Sequence, residues 1–435
     1  MENNHKNKQP ETKANQITTT EDDITSLRFF ELNMEYLAKW LLLATITGLA
    51  GGFAGALFSK LIRYASSIYR THSYMKFLLP ISGLATVFMY KALHEDINKG
   101  TNMVILAIHS SEPIHKKQGL LIFISAIMSH FGGASVGKEG AALQIGGNLG
   151  TLIADAFRLD EYDKKIMIMT GMSALFGSVF GTPIGAAIFP IEVVSIGVMY
   201  YTALFPCIIS SFFGAWVARK MSAPVSIFRI MGKVGALAPE KLVMAVIIGI
   251  LCAVMSVLFT DLLKNAGKLY NNLIPNPYIR ILVGAGIFTI LISIFSPEYY
   301  SGTGARLIDA ALYDYVPPYA FLIKMLMTAV VIGAGFKGGE IVPTLAVGAC
   351  FGATLGVMLN LDTHFAASLG MLGLFAGMTN CPIASTFMAI EMFGAKGAPY
   401  YGIVICLAYA LSGYKGLYDA QRFMYGKIKA KYINK

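Results

Sequence analysis

Long apolar stretches that are repeatedly broken by glycine and proline constrain this chain more than any other feature. They run near 39–58, 77–93, 119–136, 166–180, 183–198, 200–217, 242–263, 280–295, 320–335, 341–359, 365–377, 382–393 and 400–412. Several fall short of the roughly 20 residues that a straight transmembrane helix needs. Many are cut, at Gly132 and Gly133, at Gly181 to Pro183, at Gly338 and Gly339, at Pro343 and at Pro382. Backbone in a bilayer must satisfy its own hydrogen bonds. Helices that end at membrane depth are therefore tolerated only where protein or a watery cavity covers the ends. Interrupted helices of this kind are the usual sign of a transport site.

Composition closes off the other fold classes. Of 435 residues, 55% are hydrophobic and 14% are charged, against about 25% charged in a typical soluble domain. That excludes a soluble globular protein and a disordered one. A membrane β-barrel would show short alternating segments, and this chain has long apolar runs instead. The expected fold class is an all-α polytopic membrane protein embedded in the lipid bilayer. The net charge of +10 comes from basic residues scattered between apolar runs. It reads as the loop charge of the positive-inside rule, and no nucleic acid is expected as a partner. Cys207, Cys252, Cys350, Cys381 and Cys406 are odd in number and show no metal-ligand spacing. They read as small core residues rather than as disulfides or a zinc site. The polar start of the chain lacks the pattern of a signal peptide.

The chain repeats itself. Gly171-Met172, Leu175-Phe176, Pro183-Ile184 and Ile191-Glu192 recur as Gly370-Met371, Leu374-Phe375, Pro382-Ile383 and Ile390-Glu391, each 199 residues later. Leu143, Gly146 and Gly150 recur as Leu345, Gly348 and Gly352, and Gly100-Thr101 as Gly302-Thr303, at an offset of 202. The resulting organisation is a polar tail over 1–26, a first transmembrane repeat over 27–220 and a linker over 221–240. A second repeat over 241–414 and a basic C-terminal tail over 415–435 follow. Lys415, Arg422, Lys427, Lys429, Lys431 and Lys435 in that tail favour a cytoplasmic C-terminus. In transporters built from internal repeats the substrate site lies at the repeat interface. Sequence alone leaves open whether these repeats are parallel or inverted.

Gly137-Lys138-Glu139-Gly140 is the strongest local signal. An acid set between glycines within apolar sequence is expensive and by default functional. The residues after it read as a helix start, whose free N–H groups and positive dipole end attract an anion. A carboxylate there competes with a free anion for one spot and leaves it on protonation, so a single side chain can couple proton to anion. The plainer reading of Glu139 is a helix-capping acid paired with Lys138. In the second repeat Lys337-Gly338-Gly339-Glu340-Ile341-Val342-Pro343 again gives a glycine turn, an acid and an apolar helix start. Burial disfavours charge on a carboxyl, so Glu340 reads as a proton carrier or a neutral donor to an anion. The plainer reading is an interfacial acid paired with Lys337. Gly100-Thr101-Asn102-Met103-Val104 offers backbone and side-chain donors at a helix start. Glu192 and Glu391 end equivalent segments and read as architectural. Tyr418, alone after the last apolar run, reads as a membrane-interface anchor. His109, His115 and His130 lack metal-ligand spacing, and no nucleophile elbow or phosphate loop is present. Neither an enzyme nor a cofactor is expected.

With these residues in view, the chain after residue 35 resembles the CLC family of anion channels and proton-coupled anion exchangers. The resemblance implies a homodimer in which each subunit has its own anion path. Each subunit would be built of two inverted-topology repeats whose short, broken helices meet at a central anion site. It implies that Glu139 is the gating glutamate and that Lys138 stands where the family commonly has arginine. It implies that Tyr418 is the tyrosine closing the intracellular side of the path. The anion site would then be formed by Gly100, Thr101, Asn102, Met103, Gly137, Lys138, Gly140, Ile341, Val342 and Tyr418, with Glu340 as a central acid. Three departures are similar to the bacterial fluoride-exporting branch, CLC-F. Chloride-selective members carry Gly-Ser-Gly-Ile-Pro where this chain has Gly100 to Val104, so Asn102 replaces their serine. The third family motif reads Gly339-Glu340-Ile341-Val342-Pro343, with an acid at its centre. The internal proton glutamate of the chloride/proton exchangers is here Val193. Val342 itself departs from that branch, which often has threonine there.

The resemblance implies fluoride export by fluoride/proton antiport across a bacterial plasma membrane. Two alternatives stay open: a chloride channel or chloride/proton exchanger of the same fold, and a membrane receptor or scaffold that binds an anion without moving it.

Overall fold

The computed structural model describes residues 26–98, 100–110, 112–230, 237–429 and 431–434. The tail expected over 1–26 lies outside them except for Ser26, as do residues 231–236 of the expected linker. Seventeen α-helices carry the fold among the described residues. The first eight are α1 (Ser26–Thr71), α2 (Leu79–Ala92), α3 (Asn102–Ser110), α4 (Gln118–Phe131), α5 (Glu139–Ala156), α6 (Glu161–Phe180), α7 (Pro183–Val194) and α8 (Leu204–Lys220). The remainder are α9 (Pro239–Leu273), α10 (Pro277–Ile294), the single turn α11 (Pro297–Tyr300), α12 (Ala305–Tyr313), α13 (Ala320–Ala334), α14 (Ile341–Met358), α15 (Thr363–Thr379), α16 (Pro382–Phe393) and α17 (Ala398–Leu411).

Helix lengths follow two regimes. Among the described residues five segments, in α1, α8, α9, α10 and α14, are long and apolar enough to cross a membrane. At 1.5 Å per residue α1, with 46 residues, spans about 69 Å, far more than a hydrocarbon core of about 30 Å. It outruns the apolar stretch at 39–58 because polar ends continue the helix beyond the apolar run. By contrast α3 and α12 have 9 residues each and α7 and α16 have 12, too few to span. Prolines set where several helices start: Pro183, Pro239, Pro277, Pro382 and Pro399 all lie in first turns, where the missing N–H costs nothing.

The two halves hold one another reciprocally. Gly137 N–H donates to the Gly339 carbonyl at 2.5 Å, and Gly339 N–H donates back to the Gly137 carbonyl at 2.6 Å. The two residues form an antiparallel bridge immediately before α5 and α14. Glu192, near the end of α7, accepts from Ile383 N–H at 2.9 Å and Ala384 N–H at 2.8 Å at the start of α16. Glu391, near the end of α16, accepts from Ile184 and Gly185 N–H at the start of α7, both at 2.9 Å. Each exchange maps onto itself when the halves are swapped, which is the signature of an approximate two-fold relation between them.

Small residues let the repeat-equivalent helix pairs close up. A Cβ on Gly171 would lie 2.1 Å from the Gly146 carbonyl oxygen, and one on Gly370 would lie 2.4 Å from that of Gly348. These are α6 against α5 and α15 against α14, the same contact in both repeats. One feature departs from an all-helical chain. Ser195–Ile196 (β1) pairs in parallel with Arg422–Phe423 (β2), tying the C-terminal tail to the end of α7. Four cysteines are buried as expected, but Cys406 is exposed, because it lies on the outer face of α17.

A Cβ at position 339 would lie 2.4 Å from Gly140 N, whereas one on Gly286 in α10 meets nothing within 4 Å. Gly339→Ala is therefore expected to lower the melting temperature of the detergent-purified protein by several degrees or to abolish its folding. Gly286→Ala should leave melting unchanged or raise it slightly. Equal melting of both variants would contradict the tight bridge.

Candidate functional site

The bridge brings the N-termini of α5 and α14 together at the centre of the chain. The first N–H groups of a helix have no partner within it, so two positive helix ends face one small region. Glu139 is the first residue of α5 and is fully buried. Its carboxylate folds back over its own helix end. Oε2 accepts from Lys138 N–H at 3.0 Å and Oε1 accepts from the Ser226 hydroxyl at 2.7 Å. Lys138 does not bond it through the side chain. Lys138 Nζ donates to the Pro224 carbonyl at 2.8 Å and to Ser59 Oγ at 3.3 Å. The expected Lys138–Glu139 pairing is thus replaced by contacts of both residues with the segment after α8.

Glu340 occupies the corresponding place before α14. Its backbone carbonyl accepts from Thr344 N–H and Thr344 Oγ1, both at 2.9 Å. Its carboxyl is directed at the first repeat: Oε2 lies 3.5 Å from where a Cβ on Gly140 would sit. Lys337 does not pair with Glu340 but donates to the Ile97 carbonyl and lies over the Tyr90 ring. Ile341 and Val342, the first residues of α14, are buried.

Tyr418 is buried, not an interface anchor, because Leu417 N–H donates to the Met378 carbonyl at 2.8 Å and draws the tail inward. Its hydroxyl is shielded from solvent, and the group it faces is the Glu340 carboxyl. Asn102, the first residue of α3, accepts from Ala420 N–H at 3.1 Å, which fastens the Tyr418 segment to the Gly100 loop. Thr101 Oγ1 accepts from Gln144 Nε2 on α5 at 3.3 Å. Not every amide of that loop is available to a ligand. Met103 N–H donates to the Gly100 carbonyl at 3.1 Å, the closing bond of the turn that starts α3. Gly100 itself has open space where a Cβ would project.

Glu139, Glu340, Tyr418, Asn102 and their neighbours are thus connected through successive contacts. Glu192 and Glu391 are elsewhere, each capping a helix of the other half. Sequence reading missed two polar groups. Ser226 sits in the expected linker, where serine is an ordinary turn residue. Lys324 on α13 is fully buried and donates to the Tyr300 and Gly302 carbonyls at 3.1 and 2.9 Å. It thereby holds the Gly302-Thr303 loop that repeats Gly100-Thr101. Among the described residues no group of three or more His, Cys, Asp or Glu could hold a metal ion. Beyond Ser226 a cavity of about 290 Å³ opens, lined in part by Arg63, Arg70, Lys138 and Asp309. Three cations against one acid bias it towards anions.

Each of Glu192 and Glu391 satisfies two otherwise orphaned N–H groups. Glu192→Ala and Glu391→Ala should each destabilise the purified protein by about 1–3 kcal/mol, read as a lowered thermal midpoint. Unchanged midpoints in both would contradict the capping role.

Residues 82–413 match the voltage gated chloride channel family. The chain is 35% identical over 404 residues to the chloride/fluoride channel protein of Pseudomonas syringae pv. tomato, covering 91% of this chain and 88% of that one. It is 25% identical over 383 residues to the H(+)/Cl(-) exchange transporter ClcA of Vibrio parahaemolyticus, covering 81% of each. The crystal structure of a CLC-type fluoride/proton antiporter superposes with a TM-score of 0.85 at 26% identity, over 91% of this chain and 99% of that one. That of a slow cyanobacterial Cl-/H+ antiporter superposes with a TM-score of 0.76 at 18% identity, over 86% and 94%.

Proposed function

The chain belongs to the voltage-gated chloride channel (CLC) family, and on that premise we propose that it exports fluoride by exchanging it for protons. As a member it is an integral membrane protein with the CLC fold that transports anions, and it is not an enzyme. The finer assignment, fluoride with proton coupling through Glu139, is the reading the site supports best.

One observation carries it. The buried Tyr418 hydroxyl is turned towards the Glu340 carboxyl where α3 and the ends of α5 and α14 approach each other. A buried hydroxyl and helix-end amides gathered in one place favour an occupant that accepts hydrogen bonds. Fluoride is small and strongly hydrated, and it leaves water only for strong donors. A tyrosine hydroxyl, helix-end amides and a protonated Glu340 meet that need. The printed names of two relatives, a chloride/fluoride channel and a CLC-type fluoride/proton antiporter, point the same way.

In this reading the C-terminus is cytoplasmic and the membrane is the bacterial plasma membrane. Fluoride enters past Tyr418 and reaches the region of Gly100, Asn102, Gly137, Gly140, Ile341 and Val342. Glu139 holds the outer end of the path as a carboxylate over the α5 N-terminus. A proton taken from outside neutralises it and weakens its hold on the helix end. The side chain then yields to fluoride and carries the proton onward. The working unit is proposed to be a homodimer. Phe212 and Trp216 on α8, with Ile383 and Phe387 on α16, present exposed apolar surface that a second copy or lipid covers.

Two outcomes are expected in liposomes containing the purified protein. Fluoride efflux followed by a selective electrode should exceed chloride efflux by an order of magnitude or more; a strong chloride preference would overturn the fluoride assignment. Glu139→Gln should lose proton coupling while still binding fluoride. Proton-coupled transport at the wild-type ratio in that variant would remove Glu139 from the role.

A further inference from the structure

Residues 221–230, the described start of the segment between the two repeats, cross over the Gly137–Gly140 turn. They are anchored along their length. Ala223 N–H donates to the Ala218 carbonyl at 2.9 Å, Ser226 N–H to the Val179 carbonyl at 3.2 Å, and Arg229 N–H to the Tyr313 hydroxyl at 3.1 Å. Val225 and Ile227 fill the space over Gly181, where a Cβ would lie 3.0 Å from one and 2.8 Å from the other. The left-handed backbone of Gly181, φ 85°, ends α6 there and leaves room for them. Phe228 is buried beside them. From this fixed strap, Pro224 accepts from Lys138 Nζ and Ser226 donates to Glu139 Oε1. Both charged residues of the motif are therefore gripped by the same three-residue stretch.

We propose that Ser226 is the outer latch of the Glu139 carboxylate, a positioning residue that holds the closed gate and sets the proton concentration at which it opens. The inference rests on the reading of Glu139 as the gate. Ser226 forms the boundary between the buried carboxylate and the basic cavity, which it also lines. A hydroxyl donor favours the ionised carboxylate over the neutral acid, because the charged acceptor makes the stronger bond. Protonation weakens that bond, and the side chain is then free to leave. The strap does not follow it, since its own backbone bonds go to Val179, Ala218 and Tyr313. Other charged groups around the gate are Lys138 on the same turn, Arg63 and Arg70 on α1, Asp309 on α12 and Glu340 before α14. Substituting Ser226 alters none of these charges, so the hydroxyl can be tested alone.

The test measures fluoride efflux from liposomes against external pH for the wild type, Ser226→Ala, Ser226→Thr, Glu139→Gln and the double variant Ser226→Ala/Glu139→Gln. All are first checked for a monodisperse peak in detergent. Ser226→Ala should move the pH of half-maximal flux upward by about one unit, because the carboxylate loses a donor and accepts its proton more readily. Ser226→Thr keeps the hydroxyl and should retain the wild-type midpoint. In the Glu139→Gln background Ser226→Ala should change nothing. A wild-type midpoint in Ser226→Ala, or the same shift in both backgrounds, would overturn the latch while leaving the gate intact. Full proton coupling in Glu139→Gln would overturn the gate and the latch with it.

Discussion

The reciprocal bridge between Gly137 and Gly339 is the constraint on which the rest of the structure depends. Two backbone hydrogen bonds, at 2.5 and 2.6 Å, press the starts of α5 and α14 against each other. A Cβ on Gly339 would lie 2.4 Å from Gly140 N, and one on Gly137 would lie 3.0 Å from Pro343 Cδ, so the bridge is built on glycine. The consequence is electrostatic. Two helix ends with unpaired N–H groups are forced to share one region. Such a region must hold negative charge or be left unsatisfied, and Glu139 meets part of that demand from within the chain. The proposed gating role of Glu139 follows from this, because neutralising the carboxylate removes the reason it stays at the helix end.

The same economy governs the buried charges at a distance from this region. Glu192 and Glu391 each neutralise a helix end belonging to the other half, so α7 and α16 can be short and still end inside the protein. Lys138, Lys324 and Lys337 bond backbone carbonyls rather than acids. The basic groups therefore stiffen the loops around the centre through backbone bonds. This separation, with cations held by backbone and acids left facing helix ends, lets a 14% charged chain place much of its buried charge where it has a task.

What the sequence made legible was local or repeated. Glu139 and Glu340 stand out because acids beside glycines in apolar runs are rare, and the offsets of 199 and 202 pair the two halves. Partner choice was not legible. Lys138 and Lys337 adjoin acids in sequence, yet their ammonium groups reach Pro224 and Ile97, which only the tertiary fold brings near. Tyr418 reads as an interface residue because it stands alone after the last apolar run, whereas the Met378 carbonyl and Asn102 pull its segment inside. Glu192 and Glu391 were readable as a repeated pair, but their exchange of helix ends spans about half the chain. Ser226 carried no sequence signal, since a serine in a connecting segment is ordinary until Glu139 is seen beneath it.

The central claim is that one buried carboxylate makes fluoride and protons exchange in opposite directions. The most direct measurement uses sealed liposomes containing the intact chain, with a fluoride gradient and equal pH on both sides. External pH and fluoride are recorded together. The account predicts that fluoride flowing out drives protons in against their developing gradient, and that a chloride gradient of the same size drives far less. Fluoride loss with no accompanying uphill proton movement would contradict it.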